Sequence, residues 1–382
     1  MQVLKFGGSS VGSAEAIHQM VVIVSARIQK EKTIVVVSAM SGVTDQLIML
    51  AQTAAQGNEA YKTIIQNIEQ KHLDAIRSLL PIQQQSATLS LVKQIINEIE
   101  DNCEGLFMLK ELSMRMQDKI ISYGEILSSK IISATFESKG IKQQWVDSRN
   151  LIKTNSNYFN AVVDKPLTYT TIANYFAAPE NAFDLYIAPG FVSSDGDGNT
   201  TTLGRGGSDY TGAIYAAATE ATALEIWTDV SGMMTADPRM VQNAKEIPEI
   251  SYQEAMELSH FGAKVLYPPT IQPVLRKNIP ILIKNTFEPE AEGTYISNEI
   301  TSQANPVKGI SHIDNISLLT LEGPGMIGVS GSSKRLFEVL SNESINVIFI
   351  TQASSEHSIC IGIQNTKKSL IAGFLSNSTY TP

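Results

Sequence analysis

The sequence predicts an α/β protein: a mainly parallel sheet held between helices, followed by a smaller unit of ferredoxin-like order. Three observations lead there. The chain opens with strand-length apolar runs alternating with segments of helical period, the pattern of parallel strands joined by helical crossovers. Those runs are continuously apolar, as in strands covered on both faces. Beyond Thr301–Pro306 the pattern changes to β-α-β-β-α.

In order, Gln2–Phe6 reads as a short buried strand and Gly7–Gly12 as a small-residue loop. Ser13 stands at an N-cap position ahead of Ile17, Met20, Val21, Val24 and Ile28, which recur at helical spacing. Thr33–Met40 is a second buried strand, and Ser41–Thr44 a second small-residue loop leading into a helix. From Asn58 to about Ser138 the chain is helix-like; Gly105 and Gly124 are its few turn signals and Pro81 a break. Strands resume at Gln144–Asp147 and Leu185–Ala188. Asp195–Asn199 reads as a hairpin turn between β-prone segments. A calcium loop there fails, because its sixth position is Thr200 and its twelfth Gly206. Helix Asp209–Ala218 and strands Ala223–Asp229 and Ile279–Asn285 complete a first domain, 1–300. The second, 301–382, carries strand Ser317–Leu321, helix Ser332–Asn342, strands Asn346–Gln352 and Ser358–Gln364, and helix Lys367–Leu375. It lacks the last strand of a ferredoxin-like unit and so reads as truncated.

Composition narrows the function. At 382 residues the chain is long enough for two or three domains. Its 43% hydrophobic and 18% charged residues fit a globular protein. A formal net charge of −9 repels phosphate backbones and argues against nucleic acid as a partner. Cys103 and Cys360 have no Cys or His neighbours at metal-ligand spacing, so neither a disulfide framework nor a zinc site is expected. The N-terminus lacks the pattern of a signal peptide, and no apolar run approaches the ~20 residues of a membrane span. No membrane partner is expected, and the expected location is cytoplasmic.

The chemistry concentrates in a few segments. Gly7–Gly12 and Ser38–Thr44 follow strands, so their backbone amides would lie at helix N-termini along the carboxyl edge of the sheet, where anions bind. There is no GxxxxGK[ST], no HRD or DFG set, and Gly204–Asp209 does not complete GxGxxG. Lys5 interrupts an apolar strand just before a glycine-rich turn; it is either an exposed strand-end lysine or a cation facing an anion. Thr200–Tyr210, TTTLGRGGSDY, packs hydroxyls, glycines, Arg205 and Asp209 into a stretch with no bulk for a core. Arg205 offers a fork for a carboxylate or phosphate, and Asp209 could hold Lys5 or a substrate ammonium. Trp227–Gly232 and Ala236–Arg239 form a turn-rich strand end, and Phe261–Pro268 adds Lys264. The five histidines lie outside these motifs or merely adjoin one, and read as structural or surface residues.

KFGGSSV, SAMSGVT, SYGE, TTLGRGGSDYT, WTDVSGMMTADPR and FGAKVLYP, in this order over residues 1 to about 295, resemble the aspartate kinases. Ser251–Thr286 and Gly323–Ile361 especially resemble the kinase half and first ACT domain of bifunctional aspartokinase–homoserine dehydrogenases. The resemblance implies the amino-acid-kinase fold with a C-terminal ACT unit. It also implies transfer of the γ-phosphate of Mg-ATP to the β-carboxylate of L-aspartate, as a step of lysine, threonine and methionine biosynthesis. It implies Lys5 and Asp209 as catalytic residues, and Thr44, Glu125, Arg205 and Ser208 around the amino acid. Gly7, Gly8, Ser9, Thr228, Asp229, Met234, Arg239, Lys264 and Val265 would surround the nucleotide, with Mg²⁺ held through the phosphates and no metal ligands of the protein's own. Ser9 stands for the family's usual Thr, Met234 for a common Tyr and Tyr267 for a usual His. The resemblance further implies a homo-oligomer and an amino-acid effector near Asn346, Gln352 and the Gly323–Gly328 loop. Ile348, where lysine-sensitive relatives carry an aspartate, points to threonine in a full-length form. Other kinases of the superfamily and a non-catalytic amino-acid-binding regulator are the alternatives.

Overall fold

A computed structural model describes the chain except residues 180–181, 261–265, 300–306, 324–330, 344, 353–357 and 365–382. It divides into two compact units, Met1–Ser311 and His312–Pro382.

The first unit opens with strand β1 (Gln2–Phe6), helix α1 (Ala14–Ile28) and strand β2 (Thr33–Val37). Every residue of both strands is buried, which is why they read as unbroken apolar runs. Ser13 caps α1 by accepting from the Ala16 amide at 3.2 Å. β2 ends three residues before the apolar run does. Ser38 to Met40 leave the sheet, with the Ser38 carbonyl taken by the Ser128 hydroxyl at 2.7 Å.

A helical block follows: α2 (Val43–Ala55), α3 (Tyr61–Leu79), α4 (Gln85–Leu109) and α5 (Met114–Ser138). It encloses its own core, with Leu47, Leu50, Ile76, Ile96 and Ile131 buried together. Next come β3 (Gln144–Trp145), α6 (Ser148–Leu151), α7 (Lys165–Ala177), β4 (Leu185–Pro189), β5 (Val192–Ser194) and β6 (Thr200–Thr202). β5 and β6 form the expected hairpin, whose turn is held by Asp195 accepting from the amides of Asp197 (3.1 Å) and Asn199 (2.8 Å). The unit closes with α8 (Gly207–Ala218), β7 (Leu224–Thr228), β8 (Glu249–Ser251), α9 (Tyr252–His260), α10 (Pro268–Leu275), β9 (Ile281–Asn285) and β10 (Thr294–Ser297).

The sheet runs β3-β4-β2-β1-β7-β9-β10-β8, parallel from β3 through β9, with β10 antiparallel to β9. Residues of α1 and α5, including Ile17, Met20 and Phe136, pack on one face, where Trp227 stacks on Phe6 at 5.8 Å between centroids. Such a pair adds about 0.5–1.5 kcal/mol beyond its burial. The other face carries α8 and α10, with Ile214, Ile271 and Val274 buried. β8 and β10 have no counterpart in the sequence reading. They are three and four residues long and sit at the far edge, too short to show a period.

The second unit contains β11 (Ile316–Glu322), α11 (Ser332–Asn342), β12 (Val347–Gln352) and β13 (Ser358–Gln364). The strands form an antiparallel sheet in the order β11-β13-β12, and Leu336, Phe337 and Leu340 of α11 pack with Ile359, Ile361 and Ile363. The element order matches the ferredoxin-like pattern as far as it is described; the helix expected at Lys367–Leu375 lies outside the described residues.

Candidate active site

β1, β2, β4 and β7 all run the same way, so the loops leaving them meet at one edge of the sheet. At that edge the β1, β2 and β4 ends, α5 and the Gly204–Asp209 segment line a cavity of about 730 Å³. Lys5, near the end of β1, enters it, and is only 8% exposed. Its Nζ pairs with Asp209 Oδ1 at 2.5 Å, which joins the end of β1 to the first turn of α8. Of the two readings of Lys5, the exposed strand-end lysine is therefore excluded. A buried ammonium held by one carboxylate keeps donors directed at a bound anion.

Glu125 enters the same cavity from the middle of α5. Burial pushes its carboxyl up to about 8, against the opposing pull of the Ala39 and Glu125 amides and the Lys5 charge. One of its oxygens has no hydrogen-bond partner. A buried carboxylate with a free lone pair beside a cavity suits a cationic guest. Arg205 also lines the cavity, is exposed, and among the described residues pairs with no carboxylate. Gly206 makes its turn at φ +71°, and a Cβ there would lie 2.6 Å from the ring of Tyr267, so only glycine passes.

Residues 1–285 match the model of the amino acid kinase family, and residues 319–370 match an ACT domain. The chain belongs to the amino acid kinase family. Within it the chain is aspartokinase-like. It is 34% identical to lysine-sensitive aspartokinase 3 of Escherichia coli over 95% of its own length and 78% of that protein's. It is 35% identical to bifunctional aspartokinase/homoserine dehydrogenase 1 of Arabidopsis thaliana over 98% of its length, but spans only 42% of that relative. A crystal structure of E. coli aspartokinase III in complex with aspartate and ADP matches it with a TM-score of 0.83 at 31% identity, covering 95% of this chain and 78% of that one.

Against this family's fold, the residues singled out in the sequence fall in several places. Lys5, Gly8, Thr44, Glu125, Arg205, Ser208 and Asp209 all line the cavity. Gly7, Ser9, Thr228 and Asp229 do not line it but occupy the adjoining carboxyl ends of β1 and β7. There the Gly7 amide donates to the Trp227 carbonyl at 2.9 Å and the Thr228 hydroxyl to Asp229 at 3.1 Å. Met234 and Arg239 lie on the excursion between β7 and β8, where Met234 bridges to Glu246 and Arg239 folds back on Asp237 at 2.6 Å. Lys264 and Val265 fall outside the described residues, as do Pro324–Gly328 of the effector loop. Asn346 precedes β12, an edge strand of the second unit, and Gln352 ends it; both are exposed.

Sequence reasoning missed Phe159 and Phe191, two pocket-lining residues with positive φ (+74° and +67°). Left-handed backbone at a non-glycine aromatic is strained and collects at binding sites, but nothing in the sequence marks it. It also missed Asp118, fully buried on α5, which leaves a signal: a carboxylate on the apolar side of an amphipathic helix.

Proposed function

We propose that this chain is an aspartate kinase, transferring the γ-phosphate of ATP, bound as its Mg²⁺ complex, to the β-carboxylate of L-aspartate to give 4-phospho-L-aspartate and ADP. The observation that carries the reading is the gathering of Lys5, Asp209, Glu125 and Arg205 around one cavity. An amino acid with two carboxylates fits it. Its ammonium meets Glu125, its α-carboxylate meets the Arg205 fork, and Thr44 and Ser208 supply hydroxyls, leaving the β-carboxylate free near Lys5. That the related E. coli enzyme was crystallised with aspartate and ADP supports the same pair of ligands here.

A carboxylate nucleophile is ionised at neutral pH and needs no general base, so the protein's work is positioning and charge stabilisation. One β-carboxylate oxygen attacks the γ-phosphorus in line, the bond to the β,γ-bridging oxygen breaks, and ADP leaves with that electron pair. Lys5 neutralises charge on the transferred group, and Asp209 holds Lys5 in place. Gly7, Gly8 and Ser9 offer amides to the phosphates; Thr228, Asp229, Met234, Arg239, Lys264 and Val265 border the nucleotide. Mg²⁺ enters with the nucleotide's phosphates; among the described residues no group of three or more His, Cys, Asp or Glu side chains is placed to hold an ion.

The same reading includes a division at about residue 300, a cytoplasmic homo-oligomer, and threonine as effector of a full-length form through Asn346 and Gln352. It is tested by aspartate-dependent ADP release with hydroxylamine trapping of the acyl phosphate. Hydroxamate from acetylglutamate or glutamate but none from aspartate would overturn it.

A further inference from the structure

We propose that Asp118 is a positioning residue for the amino-acid half of the site, holding the Arg205 loop at a fixed distance from Glu125. Its side chain is fully buried. It accepts from the Thr202 amide at 2.9 Å, the Thr202 hydroxyl at 2.7 Å and the Phe159 amide at 3.0 and 3.1 Å, all neutral donors. These bonds tie two separate segments to α5. One is β6, which leads through Leu203 and Gly204 into Arg205. The other is the loop carrying Phe159, itself a wall of the cavity. The two segments are also joined directly, the Ala161 amide donating to the Thr202 carbonyl at 3.0 Å.

The placement of Asp118 on α5 gives these bonds a consequence for the site. Glu125 follows seven residues later, on the same helical face and about 10 Å along the axis. Ile121, between them, lines the cavity. Ser128, further along, fixes the Ser38 carbonyl, and Ser38 also lines the cavity. One rigid helix thus carries the ammonium partner and is bonded to the two loops on either side of it. Releasing the Asp118 end lets Arg205 drift relative to Glu125, and an amino acid must reach both. Lys5 and the β1 and β7 loops do not touch this contact, so the nucleotide half should be indifferent to it.

The inference rests on the proposed function for its kinetic consequence, and the test has two arms so that the two can fail separately. The first arm is hydrogen–deuterium exchange on Asp118→Asn and on Thr202→Val, without substrate. The expected result is at least tenfold faster exchange at residues 157–160 and 200–206, with α1 and α3 unchanged. Unchanged exchange at both segments in both variants overturns the inference, whatever the chain phosphorylates. The second arm is steady-state kinetics with aspartate. The aspartate KM should rise about tenfold or more while the ATP KM stays within twofold, and Thr202→Ser, which keeps the hydroxyl, should restore it. A parallel rise of both KM values, or a Thr202→Ser variant as impaired as Thr202→Val, overturns it by showing that Asp118 only supports the fold. A wild-type chain that makes no aspartyl phosphate sinks the activity reading and leaves the exchange arm to decide the clamp.

Discussion

With Glu125 as the proposed partner of the substrate ammonium, binding of the amino acid should depend on pH in a way that can be worked out from its surroundings. Burial pushes its carboxyl up to about 8. At pH 7 it is therefore about nine-tenths protonated, and only the ionised form can pair with an ammonium. Deprotonation costs about 1.4 kcal/mol at pH 7 and about twice that at pH 6. The apparent aspartate affinity should thus rise about fiftyfold between pH 6 and pH 8 and then level off, with close to one proton released per molecule bound below about pH 7. Between about pH 6 and 8 the substrate's own groups hold their charges, so the slope belongs to the protein. Glu125→Gln should flatten the profile and lift the aspartate KM at pH 8 by tenfold or more.

Stability supplies an independent readout of the same group. The folded-state pKa of Glu125 lies above the unfolded value, so the folded state binds the proton more tightly. Its contribution is fully present below about pH 4.5 and is lost as pH rises through about 8, a loss on the order of a few kcal/mol. The ligand-free Glu125→Gln protein should accordingly melt above wild type at pH 8, with the gap closing towards pH 5. Calorimetry in two buffers of different ionisation enthalpy counts the proton, and thermal melts follow the gap. An aspartate KM with the same flat dependence in wild type and variant, between pH 6 and 8, would refute the assignment of Glu125 to the ammonium.

Three further variants probe other parts of the site. Lys5→Ala should cut kcat about a hundredfold or more while far-UV circular dichroism stays unchanged, because a lysine at developing phosphoryl charge contributes on the order of 3 kcal/mol; near-normal kcat would remove Lys5 from the chemistry. Arg205→Ala should raise the aspartate KM strongly and leave ATP affinity nearly unchanged, whereas weakened ATP binding with a normal aspartate KM would reassign Arg205 to the nucleotide. Gly124→Ala places a Cβ 2.9 Å from that of Ala39, so despite alanine's better helix propensity it should destabilise by about 1–3 kcal/mol and perturb the Ser38–Gly42 loop; a higher melting temperature with unchanged kinetics would show that the helix can give way there.

How far the sequence could be read depended on how local the physical signal was. The first two strands and their loops were legible because a doubly covered strand must be apolar at every position and the turn after it must be small. Asp195 showed its hairpin because the turn is made by neighbours in sequence. Lys5 was readable as an anomaly, but its burial was not, since that depends on Asp209, two hundred residues away, closing over it. Gly124 was misleading: the sequence offered a turn, and the structure has a helix interior that needs glycine because α5 passes close to Ala39. The short strands β8 and β10 left no periodic trace at all.

The division of labour within the site follows from this difference. Loops after parallel strands bring amides and Lys5 to one edge, and such loops can be found by inspection because each is a contiguous motif. The amino-acid half also draws on one buried face of α5, where Glu125 and Ser128 follow Asp118 by about two and about three helical turns, and where Asp118 bonds to β6 and Ser128 to the segment just after β2. Spread over one helix, these polar residues look like interruptions of an amphipathic pattern. On the proposed function, recognition of the amino acid should depend on the anchoring of one helix as much as on the residues that touch the ligand. Substitutions along α5 should alter the aspartate KM selectively, and those in the β1 and β7 loops should act through the nucleotide.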